Sequence, residues 1–366
     1  QAATDFRTFA RLSPPLRSEA DRLASIAAVA DGTVDVITSG HDPRGPEDKR
    51  LPFADAEPGM AGAETLLSTT LTLMRDGVID LSSNCGNMTS TVGPFAIEEG
   101  IFPLPDGPAT VRMFNTNTNK VVHAHFTIQD GRAVSTGDME IPGVSGTGAP
   151  MRLDWMDPAG TAGRGVLPTG KPQEMFSAPG FGEFPGSIVD AAAVCVYIPA
   201  SVFGLTCAES PMAIDAMPEV MAAMEHVRRD AAVRAGMAET PEAAAQAAPR
   251  VALIAPPVAY KTLAGTEINA DEYNIAVRVA SMENIHRAVQ VTGAMSISAG
   301  LVVEGTLLNE MAVDLDTSDD LKIGNPSGVL RTRADAQKNP DGSWNLVSTT
   351  AYRTFRRIMD GHVYHP

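Results

Sequence analysis

DLSSNCGNMTSTVGPFAIEEG, residues 80–100, sets Cys85 between Asn84 and the pair Gly86–Asn87, at the head of a stretch that reads as a helix. Backbone N–H groups at a helix start lack intrahelical partners and carry partial positive charge, so they bind carboxylates and favour a thiolate. Gly86 lets the backbone come close to a ligand. A cysteine so placed can take a proton from carbon beside a carboxylate, with the N–H groups holding the enolate-like charge that develops. A small buried hydrophobe at a tight turn satisfies the same spacing. The spacing alone leaves both readings open.

Working outward, the helix that follows Cys85 is built of small residues and is nearly uncharged. TGAMSISAGLV, residues 292–302, has the same texture in the second half of the chain. Helices apolar on all faces are normally buried. Between and around them run short strands, among them ATVRMFNTNTNKVVHAHFTIQDG, APMRLDWMDPAG, SIVDAAAVCVYIPAS, RVALIAPP and NIAVRVAS. Strands in such close succession predict antiparallel or mixed sheet. The expected class is α/β (α+β), with two sheets, each wrapped around one central helix. Residues 1–81 read differently: a helix in RSEADRLASIAAVADG, a strand in TVDVITSG, a loop rich in Pro and Gly, and a helix in AETLLSTTLTLMRDG.

The chain has 366 residues, 44% of them hydrophobic and 20% charged, which is globular composition. Its formal net charge of −16 and the lack of any basic run argue against nucleic acid and anionic membrane as partners. The same field repels an anionic substrate at long range, so such a substrate needs local capture by cations or N–H groups. Three cysteines, Cys85, Cys195 and Cys207, make no disulfide framework, and CxxC and HExxH are absent. His123 and His125 alternate on a strand and read as a surface pair, not as metal ligands. With no signal peptide and no bilayer-spanning run in the sequence, a reduced cytoplasmic protein is expected. Arg353, Arg356 and Arg357 could hold carboxylates or could be solvated charge; Cys195 and Cys207 read as inert.

SNCGNMTSTVGPFAIEEGIF resembles the active-site segment of the PrpF family, which holds methylaconitate, methylitaconate and oxalomesaconate isomerases. The resemblance continues through TGAMSISAG, GTLLNEMA, IGNPSG and YRTFRRIMDGHVY and so covers about residues 82–366. It implies a diaminopimelate-epimerase-like fold of two pseudo-symmetric halves with the site between them. It implies an isomerase or tautomerase that uses no cofactor and no metal and acts on a small unsaturated di- or tricarboxylate. Within it Cys85 matches the acid/base cysteine, Asn84, Gly86 and Asn87 the carboxylate-binding turn, and Asn325, Ser327 and Gly328 a loop facing the site from the second half. A homodimer is left open.

Two departures from the family pattern stand out. Where the epimerase has a second cysteine, the second helix offers Ser296, a poor base without a helper. The family's TSK-type lysine and its DGxGG segment are missing from residues 1–81, whose one lysine, Lys49, sits in the unrelated context PEDKRLPF. Weak turnover is therefore expected, or carboxylate binding without turnover. Residues 1–81 instead resemble part of a bacterial dihydroorotase, a metal-dependent amidohydrolase, through DFRTFARLSPPLR and HDPRGPEDKRLPFADAEPGMAGAET. That resemblance places His41 in a histidine position but sets Gly40 where the family has aspartate, with Asp42 out of register. The expected division is 1–81, 82–186 and 187–366, with a seam after about residue 81.

Overall fold

The computed structural model describes residues 86–357 apart from 117, 246, 247, 282 and 283, together with Ala20 and Ala24. Those two alanines are helical and exposed, and they fall within the helix predicted for residues 17–32. The other expectations for residues 1–81, and Asn84 and Cys85 themselves, lie outside the described residues. The unit described below spans Asn84–Ile358.

Three helices matter for the site: α1 (Gly86–Glu98), α2 (Pro218–Arg234) and α3 (Val291–Val302). The main strands are β1 (Gly107–Asn115), β2 (Lys120–Gln129), β3 (Met151–Met156), β4 (Glu174–Ala178), β5 (Gly182–Asp190) and β6 (Val194–Pro199). They continue with β7 (Arg250–Ala255), β8 (Ile275–Ser281), β9 (Leu321–Asn325), β10 (Gly328–Lys338) and β11 (Trp344–Arg353). They form one sheet in the order β1-β2-β3-β11-β10-β9-β8-β7-β6-β5-β4. Only β6–β7 and β8–β9 pair in parallel. Two separate sheets were expected. The join is β11, which pairs with β10 along one edge and with β3 over Ser348–Arg353 along the other. Strand β11 thus joins the β1–β3 part of the path to the part that runs from β10 to β4.

Burial follows the sequence pattern. On β2, Val122, Ala124, Phe126 and Ile128 are buried and alternate with His123 and His125 on the opposite face. The buried face receives α1, and the fit is close: a Cβ on Gly93 would lie 2.9 Å from the Phe126 ring. Strands β6 and β7 are buried almost without a break, as expected of strands covered on both sides. Val251 and Leu253 pack toward α2, while Ala252 and Ile254 pack toward α3. Helix α3 is buried on all sides. Its Val291 and Met295 enter the cluster formed by β1–β3 and α1, whereas Ala294, Ile297 and Leu301 enter the cluster of the second half.

Helix α1 departs from the expectation of burial all round. It buries Gly86, Thr89, Ser90, Gly93 and Ile97 but exposes Met88, Val92 and Phe95. Small size and low charge fit a helix for burial on several faces; how many faces are covered depends on strands elsewhere in the chain. Among the described residues no helix is long and apolar enough to cross a membrane.

Candidate active site

Gly86 is the first described residue of α1 and Val291 opens α3, and the two residues abut. A Cβ built on Gly86 would stand 3.0 Å from both Cβ and Cγ1 of Val291. The absent side chain is what lets the helix starts meet. Neither helix has an acidic residue in its first turn, and the Gln290 side chain, at the N-cap of α3, makes no capping bond. Two positively polarised helix ends therefore converge without an internal carboxylate to answer them. Asn87 is the second residue of α1, and Cys85 precedes Gly86 directly in the chain.

Around the start of α3 lies a polar cluster that no sequence motif marked. Arg250, the first residue of β7, donates from Nη1 to Thr292 Oγ1 at 2.8 Å. Its Nε is buried without a hydrogen-bond partner, as is Gln290 Oε1. The Gln290 amide hydrogen-bonds the His286 imidazole. Burial, and then the Arg250 charge, hold the half-buried His286 ring below its ordinary pKa, so it is neutral at pH 7.

Ser296 is not the second half's counterpart of the cysteine. It lies inside α3, fully buried, accepts from Tyr197 Oη at 2.8 Å and approaches Val189 O at 3.2 Å. Five residues beyond the helix start, it is a core hydroxyl with its partners already present.

The GNPSG loop is brought next to the segment that leads into α3. Ser327 Oγ donates to Arg287 O at 2.6 Å, three residues before the Gln290 cap. Asn325 is buried, and its Oδ1 accepts from the Ser327 amide at 3.0 Å. Gly328 has φ of 138°, a conformation that excludes ordinary side chains. Tyr260 Oη donates to the carbonyls of Asn325 and Gly328 and fixes the turn. The described contacts of Asn325 and Ser327 are thus structural ones. A cavity of about 420 Å³ opens beside the loop, lined among others by Glu140, Gly143, Thr147, Thr262, Ser327 and Gly328.

The remaining candidates are placed elsewhere. His125 bonds Thr110 Oγ1 through Nδ1 at 2.8 Å, and its Nε2 lies 2.9 Å from Asp154 Oδ2 without hydrogen-bond alignment. Lys120 is tied to Asp157 at 2.7 Å, and Lys49 lies outside the described residues. Cys195 and Cys207 are buried, and burial pushes the Cys207 thiol up to about 12. Arg357 pairs with Glu98 and Glu99, at and just beyond the end of α1. Among the described residues the Arg353 guanidinium, at the end of β11, bonds the Tyr352 carbonyl, and burial depresses its pKa.

Comparison with known proteins adds to this geometry. The family model described as PrpF protein matches residues 70–366. The 3-methylitaconate isomerase of Eubacterium barkeri is 33% identical over 293 residues, covering 79% of this chain and 76% of its own. The 2-methyl-aconitate isomerase of Shewanella oneidensis is 31% identical over 342 residues, 86% of each chain. The crystal structure of a methylitaconate-delta-isomerase superposes with a TM-score of 0.69 at 31% identity, covering 76% of this chain and 72% of that one. The family match opens ahead of the seam expected after residue 81, and the Shewanella match reaches further still. Neither carries the dihydroorotase resemblance, and that reading of the first 81 residues is not borne out.

Proposed function

The chain belongs to the PrpF family, and from that premise we propose that it shifts the double bond of a small unsaturated di- or tricarboxylate by moving one proton. The observation that carries this reading is the contact of Gly86 with Val291. It brings together two helix starts, each without an acidic first turn, next to the only cysteine of the chain not in the buried pair Cys195 and Cys207.

In this proposal the carboxylate beside the reacting carbon is held by Asn84, Gly86 and Asn87 at the start of α1. The Cys85 thiolate, favoured by the helix end, removes the allylic proton. The electron pair of that C–H bond spreads over the allyl unit and the carboxylate, where the N–H groups stabilise it. Return of a proton at the far carbon of the allyl unit completes the shift, so the product is an isomer of the substrate. Asn325, Ser327 and Gly328 shape the wall beside α3, with Ser327 holding the Arg287 carbonyl. No cofactor or metal enters the scheme. With the TSK-type lysine missing from residues 1–81 and Lys120 engaged by Asp157, turnover is slow.

The test is proton NMR in D₂O with methylitaconate, methylaconitate and oxalomesaconate, comparing wild type with Cys85→Ser. Deuterium enters one of these acids with the wild type, and the variant loses about 10²- to 10⁴-fold in rate. Equal rates in the two proteins would remove Cys85 from the mechanism. No exchange with any of the three acids would remove the proposed reaction.

A further inference from the structure

We infer that Arg250 anchors a second carboxylate of the substrate at the start of α3, and so sets the preference for di- and tricarboxylates over monocarboxylates. The inference rests on the site proposed above and assigns a residue to its far end.

Strand alternation aims Arg250 at α3. On β7, Val251 and Leu253 face α2, while Ala252 and Ile254 face α3, and Arg250 belongs to the second set. One arm of its guanidinium is fixed by Thr292 Oγ1. Three further facts indicate that an anion completes this arrangement. First, Arg250 has no Asp or Glu within ion-pair distance among the described residues, although its Nε is buried and unpartnered. Charges drawn partly out of water are otherwise paired in folded proteins. Second, the cation stands against the positive end of a helix, where carboxylates, not arginines, are stabilised. No acidic residue occupies the first turn of α3 to offset it. Third, Gln290 beside it also has a buried amide atom, Oε1, without a partner. Rotating that amide by half a turn would present an N–H donor at the same place.

The position fits one ligand spanning both helix starts. Val291 meets Gly86 on the side of the first half, and Thr292 meets Arg250 on the side of the second. A carboxylate held beside Cys85 therefore leaves the rest of a short dicarboxylate directed past the start of α3 toward the guanidinium. A planar guanidinium can donate to both oxygens of such a group, an arrangement a lysine cannot reproduce.

Tricarballylate, an unreactive tricarboxylate, is the probe. Calorimetric titration of the full chain with tricarballylate, for wild type and Arg250→Gln, is combined with a kcat and KM split on whichever acid is turned over. Loss of a charge-assisted hydrogen-bonding group should weaken tricarballylate about ten- to hundredfold and raise KM more than it lowers kcat. Thr292→Val, which frees the guanidinium but keeps its charge, should give a smaller loss in the same direction and serves if Arg250→Gln does not fold. Wild-type turnover together with unchanged tricarballylate affinity in a folded Arg250→Gln overturns the inference and leaves the isomerase reading standing. Tricarballylate binding that depends on Arg250, with none of the acids isomerised, does the reverse. Failure of the wild type to bind tricarballylate at millimolar concentration overturns the inference as well.

Discussion

Gly86 and Val291 open two different helices and touch: a Cβ on Gly86 would lie 3.0 Å from Val291 Cβ. That separation is tighter than ordinary van der Waals contact, and both partners are held at helix starts. Gly86→Ala should cost about 1–3 kcal/mol in urea denaturation, as overpacked core sites do. It should also slow turnover at least tenfold, because small displacements of aligned groups are costly. Val291→Ala in the same chain removes the opposing methyl groups and should restore part of both losses. If Gly86→Ala proves as stable and as fast as wild type, the helix starts do not meet as described.

Alkylation tests which cysteine is chemically distinct. Cys195 and Cys207 are buried, and burial raises the Cys207 pKa to about 12. Thiol reactivity follows the thiolate, and a helix start favours it. Iodoacetamide at pH 7 should modify one cysteine of the folded protein and three after denaturation, with mass spectrometry placing the first on Cys85. Tricarballylate should slow that reaction. Modification of Cys195 or Cys207 at a comparable rate would contradict the burial assigned to them.

The sequence made the strands and the second central helix legible, because each is a local pattern. Val122, Ala124, Phe126 and Ile128 alternate with polar residues, and residues 292–302 contain no charge. It did not reveal Arg250, since its relation to Thr292 comes from strand β7 meeting a helix 42 residues away in the chain. Ser296 was misplaced for a related reason. Composition marks a helix but not its first residue, and the counterpart of Cys85 is defined by where α3 begins. The continuous sheet was equally hidden, because the pairing of β11 with β3 links residues nearly 200 positions apart.

Ser296→Ala separates a core hydroxyl from a catalytic one. Ser296 and Tyr197 are both buried, and the phenol donates to the serine oxygen at 2.8 Å. Removing the acceptor strands a buried Tyr197 hydroxyl, which should cost about 1–3 kcal/mol of stability. Below the shifted melting temperature, kcat/KM should stay within about threefold of wild type. Ser296→Ala combined with Tyr197→Phe removes both members of the pair and should recover part of the lost stability. A large loss of kcat/KM in a well-folded Ser296→Ala would return Ser296 to the active site.

The pH dependence of stability reports on the field around α3. His286 is held below its ordinary value of 6.5 by burial and then by Arg250; His125 is held below it by burial and then by Arg152. A histidine whose folded pKa is depressed binds its proton less readily folded than unfolded, so protonation favours unfolding. The contribution of each ring is therefore fully present above pH 6.5 and declines as pH falls from there toward the folded pKa. Glu225 acts lower, since the hydrogen bond from Arg228 holds it below 4.5 and its contribution declines only beneath that value. Asp190, raised by burial, has the opposite sign, losing stability as pH climbs above 3.8. Urea denaturation across pH 7 to 5 should show falling stability in the wild type and a shallower fall in His286→Asn. Arg250→Gln should raise the His286 pKa, read from its imidazole Cε1 proton by NMR, while leaving that of His125 in place. Equal movement of the two rings would mean that Arg250 does not act on His286 through their proximity at the start of α3.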